Sequence, residues 1–302
     1  MQTHLACASC IIDDLRGALE MTVLDETERL AILREAMAWL GQEFDRRHIP
    51  SFYITRVHRL LKQRTGLEMP FHTLRQQCNS AGLAVREQVA QALMPITDKL
   101  ERLRWLVSWA IAGNHLDFRT VGAGYHLAVD EITAQLEAVI AEGLAIDHTL
   151  ALLSLLNGDC HVLYLADNVG EIALDTLLVA ELQRYGCQVV VAVKGGPITS
   201  DAVWEDAQSV GMDKLAPVIL TGPDTLGLPL DEMSPDLHRE LERAQVIISK
   251  GQANYYACSE LTQEYAGAFF CLLRTKCFVA AQSLGLDKTR ANVAVLLPQR
   301  SG

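Results

Sequence analysis

Residues 167–175, DNVGEIALD, put Asp167, Asn168, Glu171 and Asp175 into an otherwise apolar stretch. Carboxylates and amide carbonyls are hard oxygen donors, the set that suits Mg²⁺ or Mn²⁺. Carboxylates brought together without a counter-charge repel and rise in pKa, and a cation removes that penalty. A local alternative makes Asn168 a helix N-cap and Glu171 its box partner. That reading leaves Asp167, before the cap at a strand end, and Asp175, one turn past Glu171, without a task.

Three further polar turns follow apolar runs. KGGPITSDA at 194–202 carries Lys194, Gly195, Gly196, Thr199, Ser200 and Asp201; TGPDTLG spans 221–227; ISKGQANY at 248–255 carries Ser249, Lys250, Gly251, Gln252 and Asn254. If the preceding runs are parallel strands, all these turns meet on one sheet edge, where open α/β sheets bind ligands. Asp167, Asn168 and Asp201 are then expected to share a divalent cation. Lys194 or Lys250 would balance an anionic ligand, and the amides of Gly195, Gly196 or Gly251 could cradle a phosphate. Glu171 is the candidate to orient an attacking water. Asp201 is expected at the start of a helix over 201–210, where its local alternative is to place charge near the helix N-terminus. Lys250 is expected to serve phosphate more than the fold. There is no Walker motif and no GxGxxG after the first strand, which disfavours nucleotide hydrolysis of that kind and ordinary dinucleotide binding. Ser200 and Ser249 suit capping and turn hydrogen bonds better than covalent catalysis.

The elements that must position these groups divide by rhythm. After Cys160, continuous apolar runs at 161–166, 187–193, 217–221, 244–250, 268–273 and 291–297 read as strands covered on both faces, the mark of a parallel α/β sheet. Helices are expected to begin near 171, 201, 235 and 277. From 8 to about 156 the chain reads as helix, with a stripe of Leu30, Leu33, Met37 and Leu40 and a long run over 82–112. Breaks fall at HIPSF, TGLEMPF, AGNHLDF and Gly122 and Gly124. The expected division is a helical subdomain or cap over 1–156 and an α/β catalytic domain over 157–302. Trp105 and Trp109, one turn apart, read as packing anchors, and His115 and His126 lack a ligand cluster.

The formal charge of −11 disfavours wide contact with nucleic acid or an anionic membrane. No apolar run reaches the roughly 20 residues of a spanning helix, and the N-terminus lacks the pattern of a secretory signal, so a cytoplasmic protein is expected. The eight cysteines then remain thiols. Cys7 and Cys10 form a CxxC, half of a four-thiolate site, and small buried residues of a first helix are the simpler expectation.

The motifs DNVGEIALD, KGGPITSDA and ISKGQANY together resemble the DUF89 family of metal-dependent damage-control phosphatases, whose metal-binding domain is shared with ARMT1-like proteins. The small prokaryotic members also have a CxxC, matched by Cys7 and Cys10. Their GNxxDF is matched by Gly113, Asn114, Asp117 and Phe118, and their LLxxKC by Leu272, Leu273, Lys276 and Cys277. The resemblance implies a three-layer α/β/α Rossmann-like core with a helical N-terminal part, and hydrolysis of phosphate monoesters of small sugars or damaged metabolites. It implies a cation (Mn, Mg, Co or Ni) on Asp167, Asn168 and Asp201, with Lys250 and Gly251 at the phosphate. Asn114 and Asp117 would stand beside the site, and Gln252 and Asn254 complete the expected substrate pocket; for Asp117, capping the next helix is the alternative. One departure stands out: where the family reads DPYxxxK, this chain has Met69, Pro70, Phe71 and Arg75. Three other readings compete. A covalent route would use Asp167 as nucleophile, but the second aspartate of DxDx[TV] is absent. A non-enzymatic, metabolite-binding regulatory protein on the same scaffold would be expected to have lost the metal donors, and a methyltransferase would need a glycine-rich first loop. The substrate and the oligomeric state stay open.

Overall fold

The structure, a computed structural model, describes residues 2–118 and 132–298. Gly122, Gly124 and His126 lie outside the described residues. The strands are β1 (Leu144–Asp147), β2 (His161–Leu165), β3 (Gln188–Val193), β4 (Val218–Leu220), β5 (Val246–Lys250), β6 (Ala268–Arg274) and β7 (Asn292–Leu296). They form one sheet in the order β1-β7-β6-β5-β2-β3-β4. All neighbours are parallel except β6 and β7.

The helices of the first half are α1 (Cys7–Thr22), α2 (Glu26–Glu43), α3 (Pro50–Thr65), α4 (His72–Leu93), α5 (Lys99–Ala112), α6 (Ile132–Ala141) and α7 (Thr149–Leu155). A 3₁₀ turn at Gly113–Leu116 follows α5. The second half adds α8 (Glu171–Arg184), α9 (Trp204–Ser209), α10 (Met212–Leu215), α11 (Pro235–Arg243), α12 (Gln252–Leu261) and α13 (Phe278–Ser283).

Strand side chains alternate between two apolar layers, as the pleat requires. Val162, Tyr164, Val191 and Ile248 pack with Leu106 of α5 and Leu178 of α8. Leu163, Leu165, Ile247 and Phe269 pack with Leu237 of α11 and Cys258 of α12. Helices on both faces of a mostly parallel sheet make this the expected three-layer α/β/α fold. The N-terminal helices close a third apolar cluster around Ile11, Leu15, Ile32 and Tyr53. No helix of the described residues is long and apolar enough to cross a membrane.

Four local expectations are corrected. The stretch 144–147, inside the presumed helical half, is an edge strand that pairs with β7. The run 82–112 is two helices, because Pro95 follows the end of α4 and cannot supply an amide to continue it. In α2 the buried face is Ile32, Ala36 and Leu40, whereas Leu30 and Met37 of the expected stripe are exposed. ISKGQANY is not all turn, since α12 begins at Gln252 directly after Gly251.

Candidate functional site

Strands β2, β3, β5 and β6 run parallel in their respective pairings and deliver Asp167, Lys194, Lys250 and Lys276 to the same sheet edge. Two chain segments then lie side by side: Asn168 and Asp201 form an isolated antiparallel bridge. The Val169 amide donates to the Ser200 carbonyl (2.9 Å) and the Ala202 amide to that of Asp167 (2.7 Å). This pairing brings Asp167, Asn168 and Asp201 together, as expected, but by another means for two of them. Asp201 is extended rather than helical, and α9 starts only at Trp204. Asn168 does not cap α8: its Nδ2 donates to Asp167 Oδ2 (2.8 Å) and Glu171 Oε2 (3.0 Å), while its Oδ1 accepts from Ser200 Oγ (3.0 Å). The α8 N-cap is Gly170.

Asp201 is held on both oxygens. Thr199 Oγ1 donates to Oδ1 (3.2 Å) and the Gly227 amide to Oδ2 (3.1 Å), with Lys194 Nζ 3.6 Å from Oδ2. Lys194 also donates to Asn254 Oδ1 (3.0 Å), and Asn254 Nδ2 donates to the carbonyls of Ala166 (3.1 Å) and Lys250 (2.8 Å). Asn254 thus ties β2 to β5 beneath the edge.

Lys250 is wholly buried. Its Nζ donates to Glu171 Oε1 (2.5 Å) and Asp175 Oδ1 (2.7 Å), and Tyr164 Oη donates to the same Asp175 oxygen (2.7 Å). The expectation of a flexible lysine stem beside phosphate is therefore corrected; two carboxylates of α8 occupy it. Burial opposes its charge, yet Asp175 and Glu171 outweigh burial and hold the ammonium above the ordinary lysine range. Burial lifts the Asp175 carboxyl to about 6 against the pull of Lys250. Burial, then the fields of Glu171 and Asp201, push Asp167 well above the usual carboxylate range, with Lys276 and Lys194 opposing.

The glycines divide in role. Gly251 (φ +79°) brings its backbone against Asp167: a Cβ there would lie 1.7 Å from Oδ2. At Gly195 a Cβ would meet the Gly222 carbonyl oxygen at 1.6 Å, and at Gly196 the Asp224 side chain at 3.1 Å. Those two glycines therefore seat the 194–202 turn on the 222–224 loop.

Asn114 Nδ2 lies 3.5 Å from Glu171 Oε2, and Asp117 accepts from Lys276 Nζ (3.2 Å). Gln252 Oε1 accepts from the Lys276 amide (2.7 Å). Lys276, whose side chain is 21% exposed, is a cation at this edge that retains access to solvent, unlike the fully buried Lys194 and Lys250. Sequence reasoning named it only as part of LLxxKC.

Arg75, at the departure from DPYxxxK, was also given no role. It donates to the carbonyls of Thr199 (2.8 Å) and Asp201 (2.8 Å) and pairs with the Asp206 carboxylate. Asn79, one turn on, donates to Asp206 Oδ1 (2.9 Å) and accepts from the Gly170 amide (2.8 Å). The helical region thus fixes both paired segments from outside. No short-range signal announces this.

Do these residues fit a divalent cation? Among the described residues no three His, Cys, Asp or Glu side chains form a ready metal cage. The candidate set differs by having an amide as its third donor, and carbonyl oxygens carry two lone pairs, so the Ser200 bond leaves Asn168 Oδ1 one acceptor site. When ionised, Asp167, Glu171, Asp175 and Asp201 outnumber the buried ammoniums of Lys194 and Lys250 by two, and Lys276, which also acts on Asp167, is itself balanced by Asp117. A divalent cation matches that deficit with hard oxygen ligands. A cavity of about 370 Å³ between α3, the 225–233 loop and α12 includes none of these carboxylates in its lining.

The arrangement has relatives throughout its length. The model of the damage-control phosphatase ARMT1-like domain matches residues 3–291. An uncharacterised protein of Methanocaldococcus jannaschii is 33% identical over 283 residues, covering 93% of this chain and 91% of its own. A protein of Archaeoglobus fulgidus named damage-control phosphatase is 30% identical over 293 residues, covering 95% and 96%. The crystal structure of a DUF89 family protein from Pyrococcus horikoshii superposes with a TM-score of 0.86 at 26% identity, over 98% of this chain and 99% of that one. A domain match spanning nearly all of the described sheet and helices, joined to the shared fold, places the chain in the damage-control phosphatase ARMT1-like (DUF89) family.

Proposed function

We propose that this protein is a metal-dependent phosphatase that hydrolyses phosphate monoesters of small sugar phosphates or damaged phosphometabolites. The observation that carries the reading is the buried edge cluster whose four carboxyl groups, when ionised, exceed its two buried ammoniums by two charges. The relatives named damage-control phosphatase support the reaction class. Asp167, Asn168 and Asp201 would hold the cation, whether Mn, Mg, Co or Ni, which when bound supplies charge and polarises the phosphate.

The remaining work falls to the chain. The first turn of α12 opens at this edge with no side-chain cap, so its amides and dipole favour an anion there. Lys276 offers a solvent-accessible positive charge to phosphate oxygens. Glu171, fixed by Lys250 and Asn168, is positioned to orient water for in-line attack. Asn114, Asp117 and Gln252 shape the substrate side, whereas Asn254, expected in the pocket, is buried beneath it and braces β2 against β5.

Phosphate release from a panel of sugar phosphates, after metal stripping and addition of single cations, tests this reading. Cation-dependent turnover is expected on at least one small phosphate monoester. Cation binding without turnover on any of them would favour the regulatory, non-enzymatic scaffold.

A further inference from the structure

Cys7, Cys10 and Cys277 have no part in the oxygen-donor site, yet the fold gathers them. The start of α1 lies against the start of α13: the rings of His4 and Phe278 meet edge-on at 5.5 Å. The His4 amide donates to Cys7 Sγ (3.5 Å). Cys277 Sγ accepts from Gln252 Nε2 (3.7 Å) and lies 3.9 Å from Tyr256 Oη. Burial, with the neighbouring Cys277 adding, lifts both the Cys7 and the Cys10 thiols. Cys7 is buried, whereas Cys10 and Cys277 reach solvent.

Entry into α1 is tightly wound. The amides of Cys7 and Ala8 bond three residues back, to His4 O (2.8 Å) and Leu5 O (3.2 Å). Helical Cβ atoms three apart stand roughly 5–6 Å from each other, and a disulfide needs about 3.8 Å. Cys7 is the first residue of α1, so a change in its own φ and ψ closes that gap without unwinding the helix. The first turn can do so because its amides are not locked into the helical ladder.

We propose that Cys7 and Cys10 are a redox-active dithiol that a low-molecular-weight disulfide oxidises, and that Cys277 transmits its state to the turn carrying Lys276. Cys10, the accessible member, loses its proton to solvent and attacks one sulfur of the small disulfide, expelling one small thiolate. The Cys7 thiolate then attacks Cys10 sulfur, forming the Cys7–Cys10 bond and expelling the second. Two electrons pass to the small disulfide, which leaves as two thiols carrying the two protons. Because the thiolate is the attacking species, the exchange speeds up as pH rises. Oxidation draws the Cys7 sulfur toward Cys10 and away from Cys277. The neighbouring Lys276 is held by its amide on Gln252 and its ammonium on Asp117, so the disturbance reaches that turn.

The test equilibrates the folded full-length chain in glutathione buffers of increasing oxidised fraction. It combines thiol counting, non-reducing peptide mapping and amide hydrogen exchange. Two of the eight thiols should be lost together, with residues 7 and 10 cross-linked and exchange at 275–278 accelerated. Cys277→Ser should keep the cross-link and lose the acceleration; Cys7→Ser and Cys10→Ser should lose both. Absence of a 7–10 cross-link in folded protein, or the same two-thiol loss in the Cys7→Ser/Cys10→Ser double variant, overturns the dithiol. Unchanged exchange at 275–278 in oxidised wild type overturns the transmission. None of these readouts depends on phosphatase activity.

Discussion

The Gly251 backbone and the Asp167 carboxylate are in direct apposition, so close that a Cβ on residue 251 would overlap Oδ2 at 1.7 Å. The φ of +79° with ψ 165° is also a conformation open essentially to glycine alone. Gly251→Ala should therefore cost about 1–3 kcal/mol in backbone strain and displace Asp167. Calorimetric titration with Mn²⁺ should show at least a tenfold weaker affinity. Unchanged affinity would mean that Asp167 has room to move without consequence for the cation.

Lys250 and its two carboxylates form a buried ion triad. Lys250→Met leaves Glu171 and Asp175 facing each other without their cation, and breaking such a buried pair costs about 3–5 kcal/mol. Urea unfolding should show that loss, and adding Asp175→Asn should recover part of it by removing one orphaned charge. A Lys250→Met protein as stable as wild type would return Lys250 to the role of a phosphate ligand alone.

Some of this was legible in the sequence and some was not, for physical reasons. Strands β2, β3, β5, β6 and β7 declare themselves because strands covered on both faces must be apolar throughout, and the edge strand β4 shows as a short apolar run of the same kind. The four-residue β1 alternates at a sheet edge and carries too little pattern to stand out. Asp167, Asn168 and Asp201 could be picked because strand exits in a parallel sheet converge. The manner of convergence could not: Asp201 follows Thr199 and Ser200, residues that suggest a helix start, and it is kept extended by Arg75, 126 positions away. Lys250 in SKGQAN looks like a loop lysine. Only its placement against α8, 75 to 79 positions away, reveals a buried one.

Glu181 should govern part of the acid stability. Burial raises its carboxyl, but Arg102, through two hydrogen bonds (3.0 and 2.8 Å), together with Arg184 outweighs burial and holds it below the usual 4.5. A folded pKa below the unfolded one gives stabilisation that is present above about 4.5 and lost as pH falls through the folded value. Glu181→Gln should lower stability at pH 7 and flatten the decline of Tm on acidification below pH 4.5. Parallel acid limbs for the two proteins would show that the α5–α8 pair contributes nothing to that decline.

Asp201→Asn separates cation binding from local structure, provided its hydrogen bonds are counted. Oδ1 accepts from Thr199 and Oδ2 from the Gly227 amide. An asparagine keeps the acceptor that faces the Gly227 amide, and its Nδ2 can donate to the Thr199 hydroxyl, which accepts as well as donates, so both bonds survive and what is lost is the charge pairing with Lys194. Thr199→Val removes a partner of Asp201 without altering its charge, and supplies the control. Both variants should unfold at lower urea than wild type, but only Asp201→Asn should weaken Mn²⁺ binding tenfold or more and depress phosphate release. The charge, rather than the turn, is then what the cation requires. If the two variants bind Mn²⁺ equally, Asp201 is a structural anchor of the 199–206 segment, and the cation lacks its third donor.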